Sequence, residues 1–381
     1  MIETLALAER GEFNATHILL MDDDVKILPE SLKRTYALLR FVKDEYKDRF
    51  ISGAMLFMDK RNEQHEDLGY MSEAINACIS SKPVFQLHLY DHILCNEENY
   101  TQNKEYGGWW YCCIPMKFIN KNSLSLPLFY RADDIEFSLR NDAKFITING
   151  ICIWHDSFWV KFNDCIEYYL FLRNYLFTHA ISGKFGNIEV RKRTDKLFFS
   201  ALRCFHYIGA EFILDAYEDY LKGPSFFSES NAEQVFKEHL AKNEKMSPVE
   251  NFNVSTKETE KFYEYVSLNE QEMLLYIESN NGHELPDHLL KDDDRQIPEI
   301  HYILFESPGK QFMRKKLLFV NHNTDTAVLR TMDKEKYAGL MVRYRTLMQR
   351  YETENDILVK IYQSVAPKLY SEKFWRNYLG I

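Results

Sequence analysis

The sequence contains no run of 18 apolar residues, so it offers no candidate for a membrane-spanning helix. It also lacks, at its start, the basic segment followed by a short apolar one that marks a secretory signal peptide. Its seven cysteines are odd in number, scattered and without a C-x-x-C pair, which argues against a disulfide framework. We therefore predict a cytoplasmic protein with reduced thiols.

An excess of positive charge is missing as well. The chain has 47 basic and 57 acidic residues and a net charge of −10, whereas a surface that follows a phosphate backbone must be basic. We therefore predict no nucleic-acid partner, and the same balance argues against a nuclease-like metal site. Aromatic residues, by contrast, make up 15% of the sequence, which favours wide aromatic-lined surfaces in addition to a core.

The pattern of apolar residues predicts two domains, and 381 residues are enough for about that number. Strand-like runs and helical patterns are mixed up to residue 185, and helical patterns dominate beyond it. We therefore predict an α/β domain at 1–185 followed by a mainly α-helical domain at 186–381. Predicted strands are 16–24, 51–58, a bent strand or strand pair at 144–153, and 315–320. Predicted helices are 2–10, one from Pro29 with an apolar stripe, one from Asp133, 166–176, 192–222, 228–245, and one or two within 333–364, while 59–105 stays unassigned.

The stretch from Thr16 to Glu30, THILLMDDDVKILPE, is the most informative part of the sequence. An apolar run leads into three acids, Asp22, Asp23 and Asp24, and open α/β sheets bind ligands at the carboxyl ends of their strands. Three carboxylates there repel one another unless a cation lies among them. Oxygen-rich sites suit Mg²⁺ or Mn²⁺, so we predict a site for one of these ions. The similar run at 292–294 follows no apolar strand, and we interpret it as a solvated loop.

Two further groups each have two interpretations, and the sequence alone leaves both open. Asp133-Asp134-x-Glu136 is either the acidic start of a helix, where carboxylates favour the helix dipole, or the place of a general base. His155, behind Trp154 at the end of a strand, is either a packed side chain or a third metal ligand.

The aromatic residues next to these groups are equally ambiguous. Trp109 and Trp110 follow two glycines and form either part of the core or a surface on which a sugar stacks. Arg173-Asn174 lies on a strongly aromatic predicted helix, where the simplest interpretation is an ion-pairing face.

Taken in order, these motifs resemble one family. The sequence resembles the galactofuranosyltransferases of the inverting GT-A class in glycosyltransferase family 2. The similarity covers residues 16–180 and continues thinly to the end of the chain. The motifs that carry it are Leu20-Met21-Asp22-Asp23-Asp24, Gly107-Gly108-Trp109-Trp110 with Pro115, Pro127-Leu128-Phe129 before Asp133-Asp134, Trp154-His155, and Leu172-Arg173-Asn174.

The resemblance implies a role for each matching position. Asp22, Asp24 and His155 would bind Mn²⁺ or Mg²⁺. Asp134 would be the catalytic base that deprotonates the acceptor hydroxyl. The remaining matching positions would bind substrate: Asp23, Trp109, Trp110, Asp133, Glu136 and Arg173. Asp23 would lie next to the metal and the nucleotide diphosphate, and the others near the acceptor.

The resemblance also implies the partners and the fold. We expect a UDP-sugar donor, a glycan or lipid-linked glycan acceptor, and a partial GT-A (Rossmann-like) domain before the helical one. Relatives place the glycine-rich, nucleotide-binding half of that fold before the acidic motif, so we expect this chain to be a fragment or to have a mis-assigned start. Phe171 stands where relatives carry a histidine, which leaves the positioning of the acceptor and the donor sugar open.

The expected function is transfer of galactofuranose in the synthesis of a cell-envelope or surface polysaccharide. The alternatives are transfer of another sugar, such as rhamnose, and an inactive carbohydrate-binding remnant. A homo-oligomer is compatible with the sequence. The C-terminal cations Lys334, Lys336, Arg343, Arg345 and Arg350 form either a solvated helix face, which we favour, or a peripheral contact with the inner face of the plasma membrane.

Overall fold

The first half of the chain consists of short strands and helices that alternate closely. The computed structural model describes residues 1–9, 11, 14–72, 77–98, 102–158, 160–182, 187–252, 265–292, 297–302 and 306–381. In chain order the elements up to residue 155 are α1 (Ile2–Glu9), β1 (His17–Leu20), β2 (Lys26–Ile27), α2 (Pro29–Phe41), a 3₁₀ turn (Asp44–Tyr46), β3 (Phe50–Ser52), β4 (Ala54–Phe57), β5 (Glu63–Glu66), β6 (Gly69–Ser72), β7 (Ala77–Ser80), β8 (Phe85–Gln86), α3 (Tyr90–Asn96), β9 (Glu105–Tyr106), β10 (Cys112–Pro115), a 3₁₀ turn (Met116–Phe118), α4 (Asp133–Arg140), β11 (Phe145–Ile146) and β12 (Cys152–His155).

These strands form three sheets. The first has the order β1-β10-β3-β11, with β3 and β11 parallel and the other pairs antiparallel. The second has the order β2-β12-β4-β5-β8, in which only β12 and β4 are parallel. The third, β7-β6-β9, is antiparallel throughout. The mixed sheets confirm the predicted α/β class.

The strand predicted at 51–58 is divided in two at Gly53. The N–H of Gly53 donates to the carbonyl of Tyr111 at 2.9 Å, and its own carbonyl accepts from the indole of Trp110 at 3.0 Å. A side chain at this position would overlap the Tyr111 ring, only 2.6 Å from an added Cβ. The break therefore results from the close approach of the loop before β10.

Helix α2 begins at Pro29 as predicted, but only the later part of its apolar stripe, at Leu39, packs against the core. Ser31 and Thr35 are buried, whereas Leu32 and Tyr36 are 43% and 66% exposed. The Ser31 hydroxyl donates to the carbonyl of Cys152 at 2.8 Å, and the Thr35 and Tyr111 hydroxyls are 2.6 Å apart. Two hydroxyl contacts with the sheet side thus orient this helix, and its outer face keeps exposed apolar residues.

The second half of the chain is mainly helical, as predicted, and includes a small sheet. Its elements are a π-helical turn (Cys165–Leu170) continuing into α5 (Phe171–Ser182), α6 (Asn187–Arg203), α7 (Tyr207–Leu221), α8 (Pro224–Glu229), α9 (Ala232–Leu240), β13 (Ser247–Pro248), a 3₁₀ turn (Val249–Phe252), α10 (Glu270–Glu278), a 3₁₀ turn (Asp287–Leu289), β14 (Glu299–His301), α11 (Pro308–Gln311), β15 (Lys316–Asn321), β16 (Thr326–Thr331), α12 (Lys334–Leu369) and α13 (Glu372–Leu379). The sheet has the order β13-β16-β15-β14, and only β15 was predicted.

The single helix predicted at 192–222 is two helices. Phe205 adopts a left-handed conformation with φ 56°, and the N–H of His206 donates to the carbonyl of Ala201 at 2.8 Å. Such a hydrogen bond is typical of a helix end that is followed by a left-handed residue. The apolar periodicity continues across the break, which is why the pattern did not predict it.

Four of the five C-terminal cations form ion pairs with acids of the same chain. Arg343 contacts Asp215 at 2.6 Å and Glu218 at 2.8 Å. The other pairs are Lys334 with Asp287, Lys336 with Glu211, and Arg350 with Glu354. The choice between a solvated helix face and a membrane contact stays a prediction. None of the helices in the described ranges has both the length and the apolar character needed to cross a membrane.

One large hydrophobic cluster includes residues from both sides of position 185. It contains Leu126 and Tyr169 from one side and Phe198, Tyr217 and Leu347 from the other. The domain boundary at 185/186 stays a prediction, and residues 183–186 lie outside the described ranges. Of the acidic run at 292–294 only Asp292 is described, and it pairs with Lys315 at 3.2 Å.

Candidate active site

Strand pairing brings the acidic run and His155 together. In the register of β1 with β10, Leu20 lies opposite Cys112, so the turn at Asp22–Asp24 follows directly beside the Trp pair. In the register of β2 with β12, Lys26 lies opposite Trp154. Because Asp24 precedes β2 and His155 ends β12, these two side chains meet across the antiparallel pair.

Asp22, Asp24 and His155 form a group that could hold a metal ion, with their ligand atoms all within 4.8 Å of one another. His155 Nε2 lies 3.5 Å from Asp24 Oδ1. His155 Nδ1 donates to the carbonyl of Asp156 at 2.6 Å, and in the neutral ring this leaves the Nε2 lone pair directed at the acids. Two carboxylates and one imidazole form a donor set that could hold a divalent metal ion. The three predicted ligands are thus brought together, and their role stays a prediction.

The acids of this group differ in their electrostatic environment. Partial burial raises the pKa of Asp22 above its ordinary value. A hydrogen bond from the Lys161 ammonium lowers the pKa of Asp24. Lys161 Nζ lies 2.5 Å from Asp24 Oδ2 and 3.6 Å from Asp156 Oδ2. Sequence reasoning did not include Lys161, because the contact with Asp24 spans 137 positions and no local pattern marks it.

Asp133 and Asp134 begin helix α4, as predicted. The preceding residue, Ala132, is left-handed with φ 69°, and this turn directs the start of the helix at the cavity described below. The N–H of Ile135 donates to Asp134 Oδ1 at 2.7 Å. Burial raises the pKa of both carboxyls above the ordinary value for aspartate. The negative charge of Asp133 adds to the rise at Asp134, and that of Asp22 adds to the rise at Asp133.

Glu66 is a third carboxyl group on the same side of the molecule, and the sequence analysis assigned it no role. It ends β5 and is 6% exposed. Burial, with the nearby charge of Asp134 as the next cause, raises its pKa to about 8. The residue is therefore protonated near neutral pH and can donate a hydrogen bond. The only hint in the sequence is its place in a polar stretch, 59–105, that no periodicity resolves.

Trp109 and Trp110 both contribute to the wall of this site. The Trp110 indole donates to the carbonyl of Gly53 at 3.0 Å. Trp109 packs edge-on against Phe137 of α4, with ring centroids 5.9 Å apart. The pair is thus held between the strand break at Gly53 and the helix of the acids, with part of each ring facing the cavity.

A cavity of about 580 Å³ joins these groups. Of the predicted site residues, eight line it: Asp22, Asp23, Asp24, Trp109, Trp110, Asp133, Asp134 and His155. Residues that the sequence analysis gave no role and that also line it are His65, Glu66, Cys78, Ser80, Tyr106, Tyr130, Arg131, Ala132, Ile135, Phe158, Lys161, Ile166 and Phe171. The volume is in the range of sites that hold a sugar-sized or larger ligand.

Glu136 and Arg173, both predicted to bind substrate, do not line the cavity. Glu136 is buried and pairs with Arg140 one turn along α4 at 2.7 Å. Arg173 is buried and donates to Asn174 Oδ1 at 2.9 Å, and Asn174 Nδ2 donates to the carbonyl of Arg131 at 2.8 Å. Their assignment as substrate-binding residues stays a prediction. Arg173 contacts Asn174, which in turn holds the loop that precedes the two acids of α4.

A second group of possible metal ligands, Asp164, His206 and Glu244, lies outside the cavity. His206 Nε2 is 3.3 Å from Asp164 Oδ1 and 3.8 Å from Glu244 Oε2. The buried guanidinium of Arg330 contacts Glu244 at 2.5 Å, and the Tyr302 hydroxyl donates to Asp164 at 3.2 Å. Because a cation of the chain itself already neutralises this group, we interpret it as an internal ion-pair network.

Comparison with known proteins adds a partial, distant similarity. No family model matches the chain. It is 29% identical over 226 residues to the galactofuranosyltransferase GlfT2 of Mycobacterium tuberculosis, which covers 54% of this chain and 34% of that protein. It is 30% identical over 224 residues to the galactofuranosyltransferase GlfT2 of Mycolicibacterium smegmatis, covering 54% of this chain and 33% of that protein. The chain thus spans about a third of the length of these relatives, and over that part it has a glycosyltransferase-like relationship to them.

Proposed function

We propose that this chain carries the metal and acceptor side of the active site of an inverting, metal-dependent glycosyltransferase. The sugar is galactofuranose, moved from a UDP-sugar to a hydroxyl of a glycan or lipid-linked glycan in polysaccharide synthesis. The single observation that carries the proposal is the shared cavity: the group Asp22, Asp24 and His155, the carboxyl of Asp134 and the two tryptophans all line it. The partial similarity to two galactofuranosyltransferases supports the same choice.

Asp22, Asp24 and His155 would hold Mn²⁺ or Mg²⁺. Bound there, the ion supplies positive charge that stabilises the diphosphate as it departs. Two carboxylates and one imidazole are donors that suit such an ion when phosphate oxygens complete its coordination. Asp23 lines the same cavity, where it would accept hydrogen bonds from the nucleotide sugar.

Asp134 would take the proton from the acceptor hydroxyl. The oxygen then attacks the anomeric carbon from the side opposite the diphosphate, so that one C–O bond forms as another breaks and the configuration inverts. Burial raises the pKa of Asp134 towards neutral pH, and a general base is most effective when its pKa lies near the working pH. Asp133 accepts, and protonated Glu66 donates, hydrogen bonds at acceptor hydroxyls, while Trp109 and Trp110 stack on the sugar face.

For the donor sugar, one observation favours an alternative to galactofuranose. Phe171 lines the cavity and is the position at which the sequence departs from the family pattern. A phenyl ring cannot replace the hydrogen bonds of an imidazole, so the site can favour a less hydroxylated sugar such as rhamnose. Transfer assays with UDP-galactofuranose and with a nucleotide-linked rhamnose distinguish the two possibilities.

The test is UDP binding in the presence of Mn²⁺. In the whole chain, Asp24→Asn should weaken Mn²⁺-dependent UDP binding by at least about tenfold, because one charged ligand is removed without a change of shape. Isothermal titration calorimetry with and without Mn²⁺ measures this effect. Asp292→Asn is the matched control, an exposed acid outside the cavity, and should bind as the unmodified chain does.

Asp134→Asn separates the two halves of the proposal. It should keep Mn²⁺-dependent UDP binding and lose transfer to a galactofuranose-containing acceptor by about 100-fold or more. Absence of any Mn²⁺-dependent UDP binding by the unmodified chain would contradict the metal and nucleotide assignment and leave the carbohydrate-binding remnant. Full transfer by Asp134→Asn would contradict the assignment of the base.

A further inference from the structure

Lys161 lies where a cation would approach the acidic run. Its ammonium contacts Asp24 Oδ2 at 2.5 Å, and Asp156 Oδ2 is 3.6 Å away on its other side. The Lys161 side chain is 33% exposed, and those of Asp24 and Asp156 are 49% and 48% exposed. All three charges are therefore accessible to solvent, and Asp24 and Lys161 also line the cavity. Lys161 thus has two carboxylates within ion-pairing distance.

A divalent ion and the Lys161 ammonium would share one carboxylate, that of Asp24. His155 Nε2 faces its Oδ1 and Lys161 contacts its Oδ2, and two cations a few ångströms apart repel each other strongly in a partly desolvated site. Asp156 Oδ2, 3.6 Å from the ammonium, offers an alternative partner. Lysine suits such a change, because its ammonium is a compact charge on a flexible four-carbon stem.

We infer that Lys161 is a displaceable counter-ion of the proposed active site. It neutralises Asp24 while the acids hold no divalent ion, and it moves to the diphosphate of the nucleotide once ion and nucleotide bind together. This inference rests on the proposed function, because it requires a metal and a diphosphate at the same acids. It assigns to Lys161 a role in nucleotide binding that no local sequence pattern indicates.

The chemistry after displacement follows from the location. Lys161 lines the same cavity as Asp22, Asp24 and Asp134, so an ammonium released from Asp24 stays within reach of a ligand bound to those acids. Phosphate oxygens attract ammonium groups through charge-assisted hydrogen bonds. The same side chain thus opposes the ion when it binds alone and favours the nucleotide when the ion is present.

The test is a pair of binding measurements on Lys161→Met, which keeps an unbranched side chain only one atom shorter and removes its charge. Without nucleotide, the variant should bind Mn²⁺ about threefold to tenfold more tightly, because the competing cation is gone. At saturating Mn²⁺ it should bind UDP about tenfold more weakly, because a charge-assisted hydrogen bond is lost. Calorimetry measures both constants, and the electron paramagnetic resonance signal of free Mn²⁺ measures the first independently.

Two controls make the result specific. Lys144→Met removes an exposed lysine paired with Asp142 at 3.4 Å, outside the cavity, and should change neither constant. Lys161→Arg keeps the charge and should lie between the unmodified chain and Lys161→Met for both constants. Thermal unfolding of each variant checks that the fold is retained.

Opposite signs of the two effects are the distinguishing result. A purely structural ion pair predicts no change, or loss of both affinities together, and either outcome would overturn the inference while the proposed function stands. If neither the unmodified chain nor Lys161→Met binds Mn²⁺, the proposed metal site fails and the inference fails with it.

Discussion

Three carboxyl groups that line one cavity, those of Asp24, Asp134 and Glu66, differ in pKa because their surroundings differ. Asp24 is exposed and hydrogen-bonded to an ammonium, which lowers its pKa. Asp134 and Glu66 are withdrawn from solvent and close to other acids, which raises theirs. The same chemical group can therefore serve as a ligand for a cation, as a base, or as a neutral hydrogen-bond donor, according to burial and neighbours.

Glu66 makes stability depend on pH in a direction opposite to that of most acids. Its pKa rises from 4.5 in an exposed chain to about 8 in the folded protein, so between these values the folded state binds more protons than the unfolded state. Stability must then fall as pH rises through this range, by roughly 2 kcal/mol from pH 6 to 8. Glu66→Gln should reduce the slope by about this amount and leave the contribution of Asp133 and Asp134, whose pKa values are also raised. Urea denaturation at several pH values measures the slope.

Glu63→Gln is the matched control, since it removes an acid from the same strand that is on the partly exposed side and pairs with Lys60. It should leave the slope in place. A slope that persists unchanged in Glu66→Gln would show that another group causes it.

At the scale of elements, the turn before β10 decides where the aromatic wall stands. Gly108 comes so close to Trp110 that an added Cβ would lie 2.4 Å from the indole ring. The indole is held in place by its hydrogen bond to the carbonyl of Gly53, at 3.0 Å. A turn without a side chain is thus required for the ring to lie against the strand break.

Gly108→Ala should displace the Trp110 indole and break this hydrogen bond. The expected cost is about 1–3 kcal/mol of stability, from overpacking and from an unpaired carbonyl. Tryptophan fluorescence follows the indole, and chemical denaturation measures the free energy of unfolding. The control is Gly339→Ala in α12, where nothing lies within 4 Å of the added carbon. There the change should stabilise the helix by about 0.5–1 kcal/mol. Equal effects at both positions would contradict the packing argument.

Over the whole molecule, a buried polar network connects the segment after β12 with the helical half. Asp164 lies shortly after the Lys161 loop, His206 in the turn between α6 and α7, and Arg330 on β16. The Arg330 guanidinium contacts Glu244 at 2.5 Å and lies 4.1 Å from the centre of the Phe319 ring. The network therefore fixes the segment after the proposed metal ligands against the small sheet of the second half.

Arg330→Met should destabilise the protein by about 3–5 kcal/mol, because it leaves buried carboxylates without their cation. Below the unfolding temperature, Mn²⁺-dependent UDP binding should remain, since none of the network residues lines the cavity. Differential scanning calorimetry and titration calorimetry measure the two quantities. Arg350→Met is the control, because its partner Glu354 is an exposed residue one turn away on the same helix, and it should cost less than about 0.5 kcal/mol. A small effect at Arg330 would show that the network contributes little.

Much of the local structure was predictable because local rules specify it. The apolar run before Asp22 predicted a strand that ends in acids, and β1 followed by the acidic turn confirms it. Pro29 and Asp133 predicted the starts of α2 and α4, where both helices begin. The position of His155 at a strand end was also predicted correctly. These features depend on period, caps and charges within a few residues.

Other features depend on residues that are distant in sequence, and only the tertiary structure decided them. The pairing of β2 with β12 places Lys161 on Asp24 across 137 positions. Hydroxyl contacts orient α2 so that Leu32 and Tyr36 stay exposed, and burial turns Glu66 into a neutral acid. The same packing keeps Glu136 and Arg173 out of the cavity. Residue types and spacing predict which groups are available, but strand register and burial determine which of them meet and in what charge state.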